Sequence, residues 1–306
     1  MSNALYIVPR FVVSPFHEPM RHGGGDLVVP PMISGQPERG KRVRQTIPEY
    51  QETHVYHTLY LPSNWSSDRQ YPLLVEFTGN GPYHDKYHDI SSGRVEDSKL
   101  GFGISAGHNF IWLCLPYLNN LGTTNVTQWW GNKPDYYVEP TLDYCKNAVP
   151  WVCQKYNGNP NSVIITGFSR GAIACNYIGM NDDEISKLWA AFIPYSHYDG
   201  VLETWSYSAC DRASALTRLN RLKNRPQFIC HEATNNQQIG LNATKCYLDS
   251  TGIQAPLTFR ETGFRNHNDA WVLRSCPTRK ALRHWLKSIL TTSLTELPGF
   301  EKHQWV

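Results

Sequence analysis

The chain has 306 residues, 41% apolar and 12% aromatic by type, enough to build the core of one large α/β domain. Its formal charge is +3, with both signs scattered and no basic block dense enough to argue for a nucleic-acid partner. No stretch approaches the roughly 18 apolar residues of a membrane span, so no membrane partner is expected.

Residues 1–50 are rich in Pro, Gly and Arg and have no period. They are expected to form an extended arm on the domain or to be partly disordered. The opening MSNALYIVPRFVV lacks a charged n-region, a long apolar stretch and a cleavage site. A cytoplasmic protein and a secreted or periplasmic one with its signal removed both fit. Residues 51–306 are expected to form the main domain. HVYHTLYLP (54–62) alternates like a strand. YPLLVEFTG (71–79), FIWLCLPY (110–117), SVIITGF (162–168), LWAAFIPYS (188–196), PQFICHEA (226–233) and PLTFRETGF (256–264) are short apolar runs ended by turn residues. Such runs suit parallel strands buried on both faces. Helical patterns lie between them at 140–156, 170–180, 213–222, 240–252 and 278–290, with Pro140 suited to a first helical turn. This alternation predicts a doubly wound, mostly parallel sheet.

The eight cysteines include no CxxC pair and no zinc-like spacing. Cys114, Cys175 and Cys230 lie in apolar runs and are expected as buried thiols. Cys145 and Cys153 can meet only if the chain bends at Pro150. Three sequons, at Asn64, Asn125 and Asn242, matter only in a glycosylating pathway. PYHDKYHD (82–89), if helical, puts His84 and His88 on one face and Asp85 and Asp89 on another. No third ligand is obvious, so no metal is expected, and no cofactor.

The most informative stretch is ITGFSRGAIACNYIG (165–179), in which Ser169 stands between Gly167 and Gly171. An apolar strand pattern precedes the serine and a helix of small residues follows it. A turn this sharp strains the backbone at the serine and leaves no room for side chains two residues away on either side. The hydroxyl then projects at a helix N-terminus, where free N–H groups favour developing negative charge.

On Gly167-Phe168-Ser169-Arg170-Gly171 and the element order over residues 54–290, the chain resembles the α/β-hydrolase superfamily of serine esterases. Single-domain carbohydrate and polyester esterases look most similar. The resemblance implies an α/β-hydrolase fold with a short or absent lid, and a histidine between the last strand and the last helix. His267 satisfies this, whereas His284 falls within the last helix. The acid is expected just after the penultimate strand, where CHEATNNQQIG aligns the uncharged Asn235 with it. Asp199, in PYSHYDG, is the favoured acid; Glu232 is the alternative. The oxyanion donors are expected to be the N–H of Arg170 and that of Gly79 or Asn80, in FTGNGP. HGGG at 22–25 matches a lipase oxyanion string but precedes the first predicted strand, so it is assigned to the arm. The Arg170 side chain either aims a charge at an oxyanion or acidic substrate group, as in glucuronoyl esterases, or lies on the surface. Trp129, Trp130, Tyr136 and Tyr137, in the loop 118–137, either stack on sugar or aryl rings or pack among themselves.

Together these imply a carboxylic-ester hydrolase acting through an acyl-enzyme. Its substrate would be a small-molecule or polysaccharide ester with an acetyl, feruloyl or uronoyl group. The alternatives are a serine peptidase of the same fold and a non-catalytic binding protein that has kept the fold.

Overall fold

A computed structural model describes residues 25–84, 89–234 and 236–294, with side chains to 291. Nine strands form the main sheet: β1 (Met32–Ile33), β2 (Arg42–Gln45), β3 (His57–Tyr60), β4 (Tyr71–Phe77), β5 (Ile111–Leu115), β6 (Gly158–Phe168), β7 (Ala191–Tyr195), β8 (Gln227–His231) and β9 (Leu257–Glu261). Their spatial order is β1-β2-β3-β5-β4-β6-β7-β8-β9. β3 runs antiparallel to both its neighbours, and every other pairing is parallel. This is the doubly wound, mostly parallel sheet that the alternation of strand and helix predicts, in the α/β-hydrolase arrangement that the resemblance implies.

Side chains alternate across a strand, and here both sets are covered. Leu73, Val75, Leu113, Val163, Ile165, Phe192 and Ile229 face one core. That core is closed by α2 (Glu139–Tyr156), α3 (Arg170–Tyr177), α4 (Arg212–Leu219) and α5 (Leu241–Thr251). Leu74, Trp112, Ile164, Ile193, Tyr195 and Phe228 face the other core, closed by α1 (Leu100–Ser105) and α6 (Pro277–Leu294). Burial on both faces is why β4 to β8 read as apolar runs.

Two parts of the chain depart from expectation. Residues 32–45 supply β1 and β2 to the sheet instead of lying on it as an arm. These strands are too short to show a period, and Val43, fully buried, is the main apolar anchor of β2. Of the HGGG string only Gly25 falls within the described residues. The 82–89 segment begins as a hairpin strand, Tyr83–His84 paired with Ile90–Ser91, so His84 is not helical; Asp85 and His88 lie outside the described residues. Among the described residues no three metal-ligating side chains are grouped to hold an ion, and no helix is long and apolar enough to cross a membrane. All eight cysteines are free thiols.

Helix α1, missing from the sequence expectations, is anchored by a buried carboxylate on β4. Glu76 accepts N–H groups from Lys99 (3.2 Å), Leu100 (3.1 Å) and Gly101 (2.8 Å), and from the Trp112 indole (2.8 Å). Four donors therefore converge on one carboxylate, at the helix end where negative charge is favoured. Glu76→Gln turns one acceptor into an NH2 that faces donors. It is expected to lower the unfolding free energy by about 2–3 kcal/mol, read as a lower urea midpoint at unchanged slope.

Candidate active site

The parallel register levels the C-terminal ends of the central strands. Gly167 pairs with Phe77, Phe168 with Tyr195, and Tyr195 with Cys230. The residues that follow these ends, Thr78–Gly79, Ser169, Ser196 and Glu232, therefore emerge side by side. In sheets of this kind ligands bind at that edge.

Ser169 has φ +54° and ψ −112° and caps α3, with its N–H donated to Tyr195 O at 3.0 Å. The flanking glycines are sterically required. A Cβ on Gly167 would collide with the backbone of Gly171, and one on Gly171 with the carbonyl of Phe77. Strain at the serine is thus held by close packing on both sides.

The serine hydroxyl lies 3.0 Å from His267 Nε2, and His267 Nδ1 lies 2.7 Å from Glu232 Oε1. The imidazole is held by its surroundings. Its ring centroid lies 4.7 Å from that of Phe168, 5.3 Å from Tyr83 and 5.2 Å from His197. The backbone beside it is held from the middle of the sheet. Tyr195 donates its phenol proton to the carbonyl of Asn268 at 3.0 Å and lies 3.4 Å from that of Asn266. The Asn266 amide in turn donates to Asp89 at 2.9 Å. Lys99 pairs with Asp269 at 2.9 Å, tying the turn after His267 to the start of α1.

Glu232 is buried, which opposes its charge. The imidazoles of His231 and His267 and the His267 hydrogen bond outweigh that and hold the carboxyl below its ordinary range. His197 itself is kept neutral: burial first, then its neighbouring imidazoles, pull it down to about 3. A serine hydroxyl that donates to an imidazole, whose second nitrogen donates to an ionised carboxylate, can be deprotonated as it attacks.

Asp199, the favoured acid, is elsewhere. Its carboxylate is gripped by Arg218 through Nε at 2.8 Å and Nη2 at 3.1 Å, with the pair buried beside Tyr207. Both its oxygens are committed to that guanidinium, 19 residues away in the chain, and the contact to His267 is made by Glu232 instead. Asn235, the residue aligned with the acid, lies outside the described residues.

Arg170 also differs from expectation. Its side chain is only 1% exposed and does not aim at a substrate. It donates to the carbonyls of Gly79 (2.9 Å), Gly93 (3.3 Å) and Trp129, and stacks on Tyr117 at 3.7 Å. Burial pulls its pKa down to about 10, which leaves it charged at neutral pH. The backbone N–H of Arg170 belongs to the first turn of α3, where amides lack intrahelical partners. Gly79 packs so closely on Phe168 that an added Cβ would sit 2.8 Å from the ring. Asn80 lines the cleft, and its Oδ1 accepts the N–H of Trp129 at 2.7 Å.

The cleft above Ser169 has a volume of about 430 Å³. Trp129 and Trp205 form part of its wall, with ring centroids 5.4 Å apart, and Tyr83, His197, Thr234, Asn236 and Arg265 complete much of the rest. Trp130 is not in it: fully buried, it stacks on Tyr177 at 4.3 Å and belongs to the core. Tyr136 is likewise buried, while Tyr137 is exposed.

Sequence reasoning missed Ser196, His197, His231 and Trp205. Ser196 and His197 carried a usable signal, since they follow an apolar strand run as Ser169 does. Trp205 sits in a loop, 197–211, whose course the sequence does not indicate.

No protein-family model and no curated protein matches this sequence. Solved structures do. Esterase 2 of Thermogutta terrifontis, phosphorylated by paraoxon, aligns with a TM-score of 0.56 at 14% identity, covering 88% of this chain and 98% of that one. A sugar hydrolase from Lactococcus lactis aligns with a TM-score of 0.53 at 15% identity, covering 82% and 99%. A thermostable esterase aligns with a TM-score of 0.50 at 19% identity, covering 81% of this chain but 62% of that one, less than two thirds of its length. At these identities the likeness is one of fold.

Removing one partner of the Asp199–Arg218 pair strands a buried charge. Asp199→Ala is therefore expected to destabilise the protein by about 3–5 kcal/mol. The double replacement Asp199→Leu/Arg218→Leu is expected to recover part of that loss, read by urea unfolding of both.

Proposed function

We propose that this chain is a serine carboxylic-ester hydrolase with Ser169 as nucleophile, His267 as general base and Glu232 as the acid. The observation that carries this reading is the hydrogen-bonded line Ser169–His267–Glu232, starting at a strained serine and ending at an ionised, buried carboxylate. Ser169 Oγ attacks the ester carbonyl while its proton passes to His267 Nε2. Glu232 stabilises the imidazolium and keeps its Nδ1–H pointed inward. The N–H of Arg170 and that of the 79–80 segment hold the oxyanion. The intermediate collapses as His267 protonates the departing alcohol. Water, activated by the same imidazole, then releases the acid.

The substrate of this reading is an ester on a carbohydrate. The support is the cleft wall, in which Trp205, half-buried against the buried Trp129, offers an aromatic surface beside the hydrogen-bonding Asn80, Thr234 and Asn236. With the Arg170 side chain sealed, Arg265 is, among the described residues, the exposed cation there that can meet an acidic acyl group. Acetyl, feruloyl and uronoyl esters all remain within its range.

The test is p-nitrophenyl acetate turnover by wild type, Ser169→Ala and Glu232→Gln, followed by a panel of sugar esters. Ser169→Ala should abolish turnover, and Glu232→Gln should lower kcat by about a thousand-fold or more. Asp199→Ala, assayed where it is folded, should lose less than about tenfold. A fluorophosphonate should label Ser169 in wild type. No labelling would leave a binding protein of the same fold, and equal rates on a matched anilide would move the assignment to a peptidase.

A further inference from the structure

Ser196 stands one residue beyond β7, between the ends that carry Ser169 and Glu232. It is 1% exposed and has φ +92°, a conformation that L side chains rarely adopt and glycine adopts freely. A serine kept where glycine would be unstrained points to work done by its hydroxyl. That hydroxyl meets three groups: Glu232 Oε1 at 3.1 Å, His267 Nδ1 at 3.0 Å and His197 Nδ1 at 2.9 Å.

Donor counting orders these contacts. A hydroxyl carries one proton, and an ionised carboxylate only accepts. The Ser196 proton therefore goes to Glu232 Oε1, which also receives the Nδ1–H of His267. The hydroxyl oxygen then accepts the Nδ1–H of His197, which sets the tautomer of that neutral ring. Glu232 Oε2 has no hydrogen-bond partner among the described residues, its ion-pair contact to His231 Nδ1 being 3.4 Å long. Ser196 is thus one of two hydrogen-bond donors to a buried carboxylate among the described residues.

We propose that Ser196 is a positioning residue for the Ser169–His267–Glu232 line, fixing the carboxylate against His267 and holding His197 as the Nδ1–H tautomer on the cleft wall. It acts through Glu232 and His197 and touches no reacting atom. The proposal rests on the ester-hydrolase reading.

Ser196→Gly tests it, because relief of strain and loss of the hydroxyl act in opposite directions. The variant should be at least as stable as wild type. On p-nitrophenyl acetate its kcat should nevertheless fall about tenfold, with KM little changed. Glu232, with one donor fewer, would concentrate its charge on His267 and favour the imidazolium. The acid limb of kcat/KM should then move to higher pH by about half a unit. Ser196→Ala should show the same kinetic changes with lower stability. Wild-type kcat and an unmoved limb in Ser196→Gly would overturn the proposal, even where Ser169-dependent turnover upholds the hydrolase reading. If wild type shows no such turnover, that reading fails on its own. The NMR titration of His267 then decides the role of Ser196: a shift in Ser196→Gly supports it and an unchanged curve overturns it.

Discussion

The site depends on one constraint: the strands β4, β6, β7 and β8 end level with one another. Backbone hydrogen bonding sets Phe168 beside Tyr195 and Tyr195 beside Cys230. Each side chain of the proposed chemistry follows within two residues of a strand end, except His267, which comes in on a loop held by the Tyr195 phenol. A slip of one residue in any of these strands would exchange its two faces. Because both faces are packed against cores, such a slip would misplace large side chains on both sides. The accuracy of the Ser169–His267 contact is inherited from that packing.

The second theme is how charge is housed without water. Glu232 is surrounded by three imidazoles, Arg170 by carbonyls and Asp199 by Arg218, while Glu76 is met by N–H groups although burial pushes its pKa up to about 7. A buried charge is tolerable only with such partners. The four differ in what the partners permit. Asp199 and Arg218 satisfy one another and lock a wall. In the proposed mechanism the partners of Glu232 include the imidazole that takes the Ser169 proton, which ties that carboxylate to events at Ser169.

Much of this was legible in the chain. The five strands from β4 to β8 read as apolar runs because both their faces are buried, whereas β3 read from its alternation and β9 is a partly exposed edge strand; the Gly167–Gly171 spacing announced a turn with no room for side chains. His267 was legible from its place after the last strand. The identity of the carboxylate was not. Asp199, Glu232 and Asn235 all follow strand ends, and local sequence does not say which carboxylate is already neutralised. Arg218, which removes Asp199, is 19 residues away and reaches it only once α4 packs. The same limit applies to Arg170 and Trp130: their positions in the motif and loop were clear, but burial of their side chains depends on Tyr117, Tyr177 and Tyr207, which come from other elements. β1 and β2 are too short for periodicity, and α1 depends on Glu76 of a preceding strand.

The clamp formed by Arg170 has a consequence for how such a cleft can diversify. Its guanidinium grips main-chain oxygens of three separate segments, those at Gly79, Gly93 and Trp129. Every residue type offers that oxygen, so the grip is blind to the side chains those segments display. Wall residues can be exchanged while the loops stay moored in place. The substrate selectivity of the proposed hydrolase can therefore drift, or be redesigned, independently of the contacts that hold the loops over Ser169.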